Sequence, residues 1–256
     1  MFDSVIKAAP FKRSVCVTLS ALFSLTFMQP ALAESEPVQV ANSTSMVEYC
    51  RDDSQTQAHS YRYQSEQQRL LNCMVAQLQP YQQKDKTAAQ QYFAYKAQAW
   101  LNYAIHQDSM NSRSSVGQVA LEMAEPILQA LDNDTVQALD LHQDIPSTLM
   151  RSDLWATLSA LKDGDGIASA PREMAFSEVA LIWAATNQCA RGWRESGMHF
   201  RMADRWLEQA REAYVNANDS QTNVTLEKSI VSYHKQYSPL DASNDTCHGQ
   251  DLTSNR

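Results

Sequence analysis

Apolar residues recur along this chain at the spacing of one face of an α-helix, and prolines and glycines punctuate the runs. Phe93, Ala97, Trp100 and Ala104 follow an i, i+4, i+7, i+11 pattern within residues 87–106. Tyr63, Leu70, Leu71, Met74 and Leu78 share a face within 61–78, ahead of Pro80. Val116, Val119, Ala120, Met123, Ile127 and Leu128 do so within 114–131, where Pro126 either kinks the helix or divides it. A short helix capped by Ser152 carries Leu154, Trp155, Leu158 and Leu161, and Asp163-Gly164-Asp165-Gly166 stops it. Pro171 suits the first turn of the next helix, which carries Phe176, Val179, Ala180 and Trp183. A turn over 190–197 holds Gly192 and Gly197. The following stripe is Met202, Ala203, Trp206, Leu207, Ala210 and Tyr214, and a last helix spans 225–237 before Pro239. With only 6 glycines in 256 residues, the turn-rich chemistry of an all-β fold is missing. The pattern predicts an all-α fold of six or seven helices in packed antiparallel hairpins. The segment 123–128 echoes 202–207, each closing a helix pair whose first helix carries a Trp. Stacked hairpins of a tetratricopeptide-like array would produce such an echo, and so would chance between amphipathic helices.

The N-terminus reads as a cleavable secretory signal over residues 1–33. Lys7, Lys12 and Arg13 form a basic region, and Ser14 to Phe27 an apolar one. Pro30 then precedes Ala31-Leu32-Ala33. The apolar run of 14 residues is shorter than the ~20 of an ordinary membrane span. Residues 34–57 are polar and read as a tether, 58–240 as a single helical domain, and 241–256 as a polar tail. Export changes the meaning of the cysteines. Cys16 leaves with the signal, and Cys50, Cys73, Cys189 and Cys247 remain, an even number in an oxidising compartment. Three pairings are open. Cys50–Cys73 with Cys189–Cys247 is favoured because each bond would pin a terminal segment to its nearest helix. Zinc binding is the other use of four cysteines, but no Cys-x-x-Cys occurs.

Removing the +2 signal segment from a formal charge of −8 leaves −10 on the mature chain. Such a balance disfavours nucleic acid and anionic lipid as partners, since both demand clustered Lys and Arg. No stretch after the signal is apolar enough to span a bilayer.

Catalytic and metal motifs are missing. The six histidines show no i, i+4 pair, and no nucleophile elbow or phosphate-cradling glycine loop occurs. His199 is either a base or a half-buried structural histidine. Placed as a calcium loop, the Asp-Gly-Asp-Gly segment would put Leu161 and Arg172 where carboxylates are needed, so it reads as a turn. Glu173 and Glu178 are a conceivable carboxylate pair. Five residues of helix set them about 140° apart, which argues against a shared site. The sequence therefore assigns no catalytic, cofactor or metal residue.

The richest cluster is Arg191, Trp193, Arg194, Arg201 and Arg205, an indole and four guanidinium groups beside one turn of an acidic chain. Its functional reading is a contact for an anionic group such as a peptide or wall carboxylate. Its structural reading is a packed Trp with arginines paired to Glu195, Asp204 and Glu208.

The succession Lys96-Ala97-Gln98-Ala99-Trp100-Leu101, Arg151-Ser152-Asp153-Leu154-Trp155, Glu178-Val179-Ala180-Leu181 and Gly192-Trp193-Arg194 resembles a helical periplasmic region of proteobacterial envelope proteins. That region is sometimes fused to an OmpA-like peptidoglycan-binding domain. The resemblance covers about residues 90–215. It implies a helical bacterial envelope protein and supplies no catalytic residues. Without an OmpA-like domain in the chain, it does not imply wall binding.

The sequence thus points to a non-enzymatic periplasmic binding or scaffold protein that contacts an envelope protein or peptide. A secretion chaperone or inhibitor, an envelope-polymer hydrolase and an extracellular setting are the alternatives. Peptidoglycan remains a possible partner that no motif supports.

Overall fold

Thr87 starts the helix around which the others pack. Its hydroxyl accepts from the Gln90 backbone N–H at 3.2 Å, and the Gln90 side chain accepts from the Thr87 N–H at 3.1 Å. This reciprocal cap satisfies two donors that a helix start leaves open. The computed structural model describes residues 45–56, 65–110, 115–142, 148–241 and 247. The expected signal segment, the first part of the tether and nearly all of the tail lie outside the described residues.

Among the described residues there are nine α-helices and no strand. They are α1 (Met46–Thr56), α2 (Glu66–Gln77), α3 (Ala88–Ser109), α4 (Val116–Asp132), α5 (Ser152–Asp163), α6 (Gly166–Ser169), α7 (Pro171–Arg191), α8 (Trp193–Ala217) and α9 (Ser220–Tyr237). None is long and apolar enough to cross a membrane. The all-α fold and both disulfides agree with the sequence reading. The two helices beyond the expected number are α1 and the single turn α6.

Helix α3 is buried around nearly its whole circumference, through Tyr92, Phe93, Ala94, Ala97, Trp100, Leu101 and Tyr103. A helix without a polar face belongs at the centre. Tyr95 meets Phe176 and Tyr103 meets Trp183, so α3 and α7 run parallel. Phe176 meets Trp206 and Trp183 meets His199, so α8 folds back antiparallel on α7. Helix α5 packs antiparallel to α9: Ser159 bonds Tyr237, and Asp163 accepts from the Tyr233 hydroxyl. The echo noted in the sequence falls on α4 and α8, the second helices of two hairpins whose first helices lie side by side. Ala124 and Ala203, and likewise Leu128 and Leu207, are its buried positions.

The bonds Cys50–Cys73 and Cys189–Cys247 have Cα separations of 5.6 and 5.3 Å. The first ties α1 to α2, and the second ties the end of α7 to the tail.

Several local expectations need correction. The second half of the polar segment 34–57 is helix, not tether: Cys50 and Met46 are buried in the core, and the Met46 N–H reaches Asp132 at 3.2 Å. Helix α4 runs unbroken through Pro126. Ser152 is the first residue of α5 and not its cap. Arg151 precedes it in a left-handed conformation, and Asp241 accepts from the Ser152 N–H at 2.6 Å. Helix α9 starts five residues early, because Asp219 caps it through Thr222.

The turn expected over 190–197 is Gly192 alone. Its φ of +88° reverses the chain in one residue, and Gly197 lies within α8. Gly166 has a different constraint: a Cβ there would stand 2.5 Å from the Leu161 carbonyl oxygen. The Asp-Gly-Asp-Gly segment is therefore a turn in which Asp163 serves packing, against Tyr233 and His142.

The disulfides should differ in worth by loop length. Replacing Cys50 and Cys73 by Ser closes no 23-residue loop and should cost about 3 kcal/mol; the 58-residue loop of Cys189 and Cys247 should cost about 4. Urea unfolding of the two double variants measures both.

Candidate functional site

The parallel packing of α3 and α7 carries two polar features into the core. The first is a charged cluster. Glu178 of α7 is 0 % exposed and Lys96 of α3 is 2 % exposed. Glu178 Oε1 accepts from Lys162 Nζ of α5 at 2.7 Å and from Lys96 Nζ at 3.2 Å. Its Oε2 accepts from the Tyr92 hydroxyl. Lys162 also donates to the Leu141 carbonyl at 2.9 Å, which anchors the chain leaving α4. Both ammonium groups lie within 6 Å of the Tyr92 ring centroid, at 5.7 and 5.8 Å.

Burial alone would raise the Glu178 pKa. The Lys162 and Lys96 charges and the bonds from Lys162 and Tyr92 outweigh it and hold the carboxyl at about 2. The Tyr92 hydroxyl is pushed well up, first by burial and then by the Glu178 charge. A general acid needs the opposite, a carboxyl kept protonated near neutral pH. Glu178 is thus an ionised structural anchor. Glu173, half-buried on the same helix, makes no pair with it.

The second feature is an aromatic stack. Tyr103 stacks on Trp183 at 4.0 Å and Trp183 on His199 at 4.1 Å, with His106 5.2 Å from Trp183 at the edge. His199 is buried, and its pKa is lowered by desolvation and then by His106, against a smaller upward pull from Glu195. It packs as a neutral ring, and its Nδ1 has no hydrogen-bond partner among the described residues. A catalytic base would need an orienting partner, so the structure favours the structural reading of His199. Among the described residues, no three His, Cys, Asp or Glu side chains converge as metal ligands.

The inward packing of His199, Ala203, Leu207, Ala210 and Tyr214 fixes which face of α8 looks outward. Arg194, Met198, Arg201, Met202 and Arg205 follow one another on it at helical spacing, and all are exposed. Met198 is 52 % and Met202 41 % exposed. Neither Arg201 nor Arg205 lies within ion-pair distance of a carboxylate among the described residues, so the pairs with Glu195, Asp204 and Glu208 do not form for these two. Arg191 closes α7 and Trp193 opens α8; their side chains lie outside the described part. The structure thus brings together three of the five residues singled out in the sequence, and adds two methionines. Their exposure was hidden in the sequence because Met202 reads as one more member of the apolar stripe. No family model, curated protein or solved structure matches the chain.

The pH dependence of Glu178 has a definite sign. Its folded pKa lies below the ordinary value of 4.5, so its contribution is present above that value and is lost as pH falls toward about 2. Glu178→Gln strands two buried ammonium groups and should cost about 3–5 kcal/mol at neutral pH. The loss should shrink as the wild type is acidified through that window, as urea unfolding at a series of pH values would show.

Proposed function

We propose that this chain is a non-enzymatic protein of an oxidising envelope compartment, the periplasm, and that it holds a protein or peptide partner on the outward face of α8. The observation that carries this reading is the exposed series Arg194, Met198, Arg201, Met202 and Arg205 on a chain of formal charge −8. The Arg201 and Arg205 guanidinium groups, which pair with no carboxylate among the described residues, sit beside two exposed thioethers there. Methionine adapts its shape to different apolar surfaces, and arginine offers paired donors to a carboxylate. The matching partner is an amphipathic segment with acidic residues beside apolar ones. Two disulfides support the oxidising setting. The signal-like N-terminus and the likeness to a proteobacterial periplasmic region support the envelope.

In-cell crosslinking from α8, followed by mass spectrometry, identifies the partner. Arg201→Glu with Arg205→Glu should weaken its binding by at least ~100-fold, since each lost charge-assisted contact is worth about 1.5–3 kcal/mol. Met198→Ser with Met202→Ser should also weaken it, with less dependence on salt. Unchanged crosslinking in the arginine variant would remove this face from consideration.

A further inference from the structure

A second exposed face lies on α9. Leu226 and Tyr237 of α9 are buried, with Ile230 and Tyr233 packed against the core. The opposite side presents Val224, Glu227, Lys228 and Val231, the i, i+3, i+4 and i+7 positions of one helical surface. Val224 is 48 % and Val231 53 % exposed. The four residues line a shallow depression of about 340 Å³. A lone exposed valine needs no explanation. Two valines a heptad apart, bracketing one acid and one base, form a more particular pattern.

The pattern is its own complement. Reversed end for end about the midpoint between residues 227 and 228, the segment 224–231 maps Val224 onto Val231 and Glu227 onto Lys228. An antiparallel copy would therefore set valine against valine and glutamate against lysine, each contact occurring twice, as a two-fold interface requires. One residue off the same register, Asp219 at the start of α9 comes opposite Lys235 near its end. The valines of an opposing helix have the depression to fill. Lys228 has no ion-pair partner among the described residues, and Glu227 meets Arg211 of α8 through Oε1, leaving Oε2 to a second cation.

We propose that α9 pairs antiparallel with α9 of a second copy of this chain, about a two-fold axis between Glu227 and Lys228. A helix of 18 residues is about 27 Å long and buries less than a standard interface. The dimer is accordingly weak and dissociates on dilution.

Sedimentation velocity of the oxidised chain over a micromolar concentration series tests this. The wild type should shift from monomer to dimer as concentration rises. Val224→Lys with Val231→Lys should stay monomeric, with an unchanged circular dichroism spectrum. The decisive arm is charge exchange. Glu227→Lys sets lysine against lysine, and Lys228→Glu sets glutamate against glutamate, so each alone should weaken self-association at least ~10-fold. Mixed together, the two single variants are complementary again and should form a heterodimer, and the chain carrying both exchanges should dimerise as the wild type does. A wild type that is monomeric throughout would overturn the proposal and leave the face to another partner. So would a dimer indifferent to the valine exchange, or single variants that do not rescue each other.

Discussion

The fold depends on a carboxylate that has been taken out of water between two ammonium groups. Burying Glu178, Lys96 and Lys162 forfeits hydration that contacts at 2.7 and 3.2 Å offset only while they are kept. Those contacts come from three helices, and Lys162 adds a fourth attachment at Leu141. The cluster is therefore intolerant of slippage. A one-residue rotation of α3 against α7 would strand a charge in the core, which an apolar contact would not punish so severely. The register it imposes is the parallel one, and it extends along the pair. Lys96 opposite Glu178 brings Tyr103 onto Trp183, and the Trp183 ring then receives His199. Thus the outward placement of Arg201 and Arg205 on α8 is tied to an ion cluster centred on Glu178 of the neighbouring α7.

How much of this was legible in the sequence depended on the range of the interaction. Helices are set by neighbours three and four residues apart, so the stripes of α2 to α5 and α7 to α9 could be read directly. The disulfide pairing could be argued from which segments were terminal. The ion cluster could not, because its members are 82 and 16 residues apart and a helical Lys or Glu ordinarily reads as a solvated face. A trace was present: Lys96 stands in a run whose other positions, from Tyr92 to Leu101, are almost all apolar or aromatic. A lysine there has no solvated side to occupy. Glu178 has the same setting between Phe176 and Ile182. Two of the segments behind the envelope resemblance, 96–101 and 178–181, begin at the two ends of this ion pair. That likeness is thus carried partly by residues that hold a core together.

Where sequence reasoning missed, a long-range contact had overridden local composition. The segment holding α1 is polar enough to pass for a tether, yet burying Met46 and bonding Cys50 to α2 give it a place. Ser152 has the chemistry of a cap, but Asp241, 89 residues on, occupies that role. The turn after α7 shrank to Gly192 because one residue at positive φ suffices to reverse the chain.

The charge balance bears on how the proposed α8 contact would operate. Beyond about 8–10 Å the charges of the chain and of an acidic partner are largely screened from each other, so charge alone does not draw the partner in. Within that distance, Arg201 and Arg205 dominate, although Asp204 lies between them and its charge is felt as far as Arg151. Such a surface does not draw in acidic proteins at large. Under the proposed contact it would reward only a segment already placed against Met198 and Met202. Recognition of this kind trades association rate for selectivity, because a partner with charge alone is turned away and one with apolar residues alone leaves the guanidinium groups desolvated without a carboxylate. The aromatic stack beneath matters to that discrimination. It holds α8 against α7 so that the spacing between arginines is fixed before the partner arrives, and little ordering remains to be done on binding.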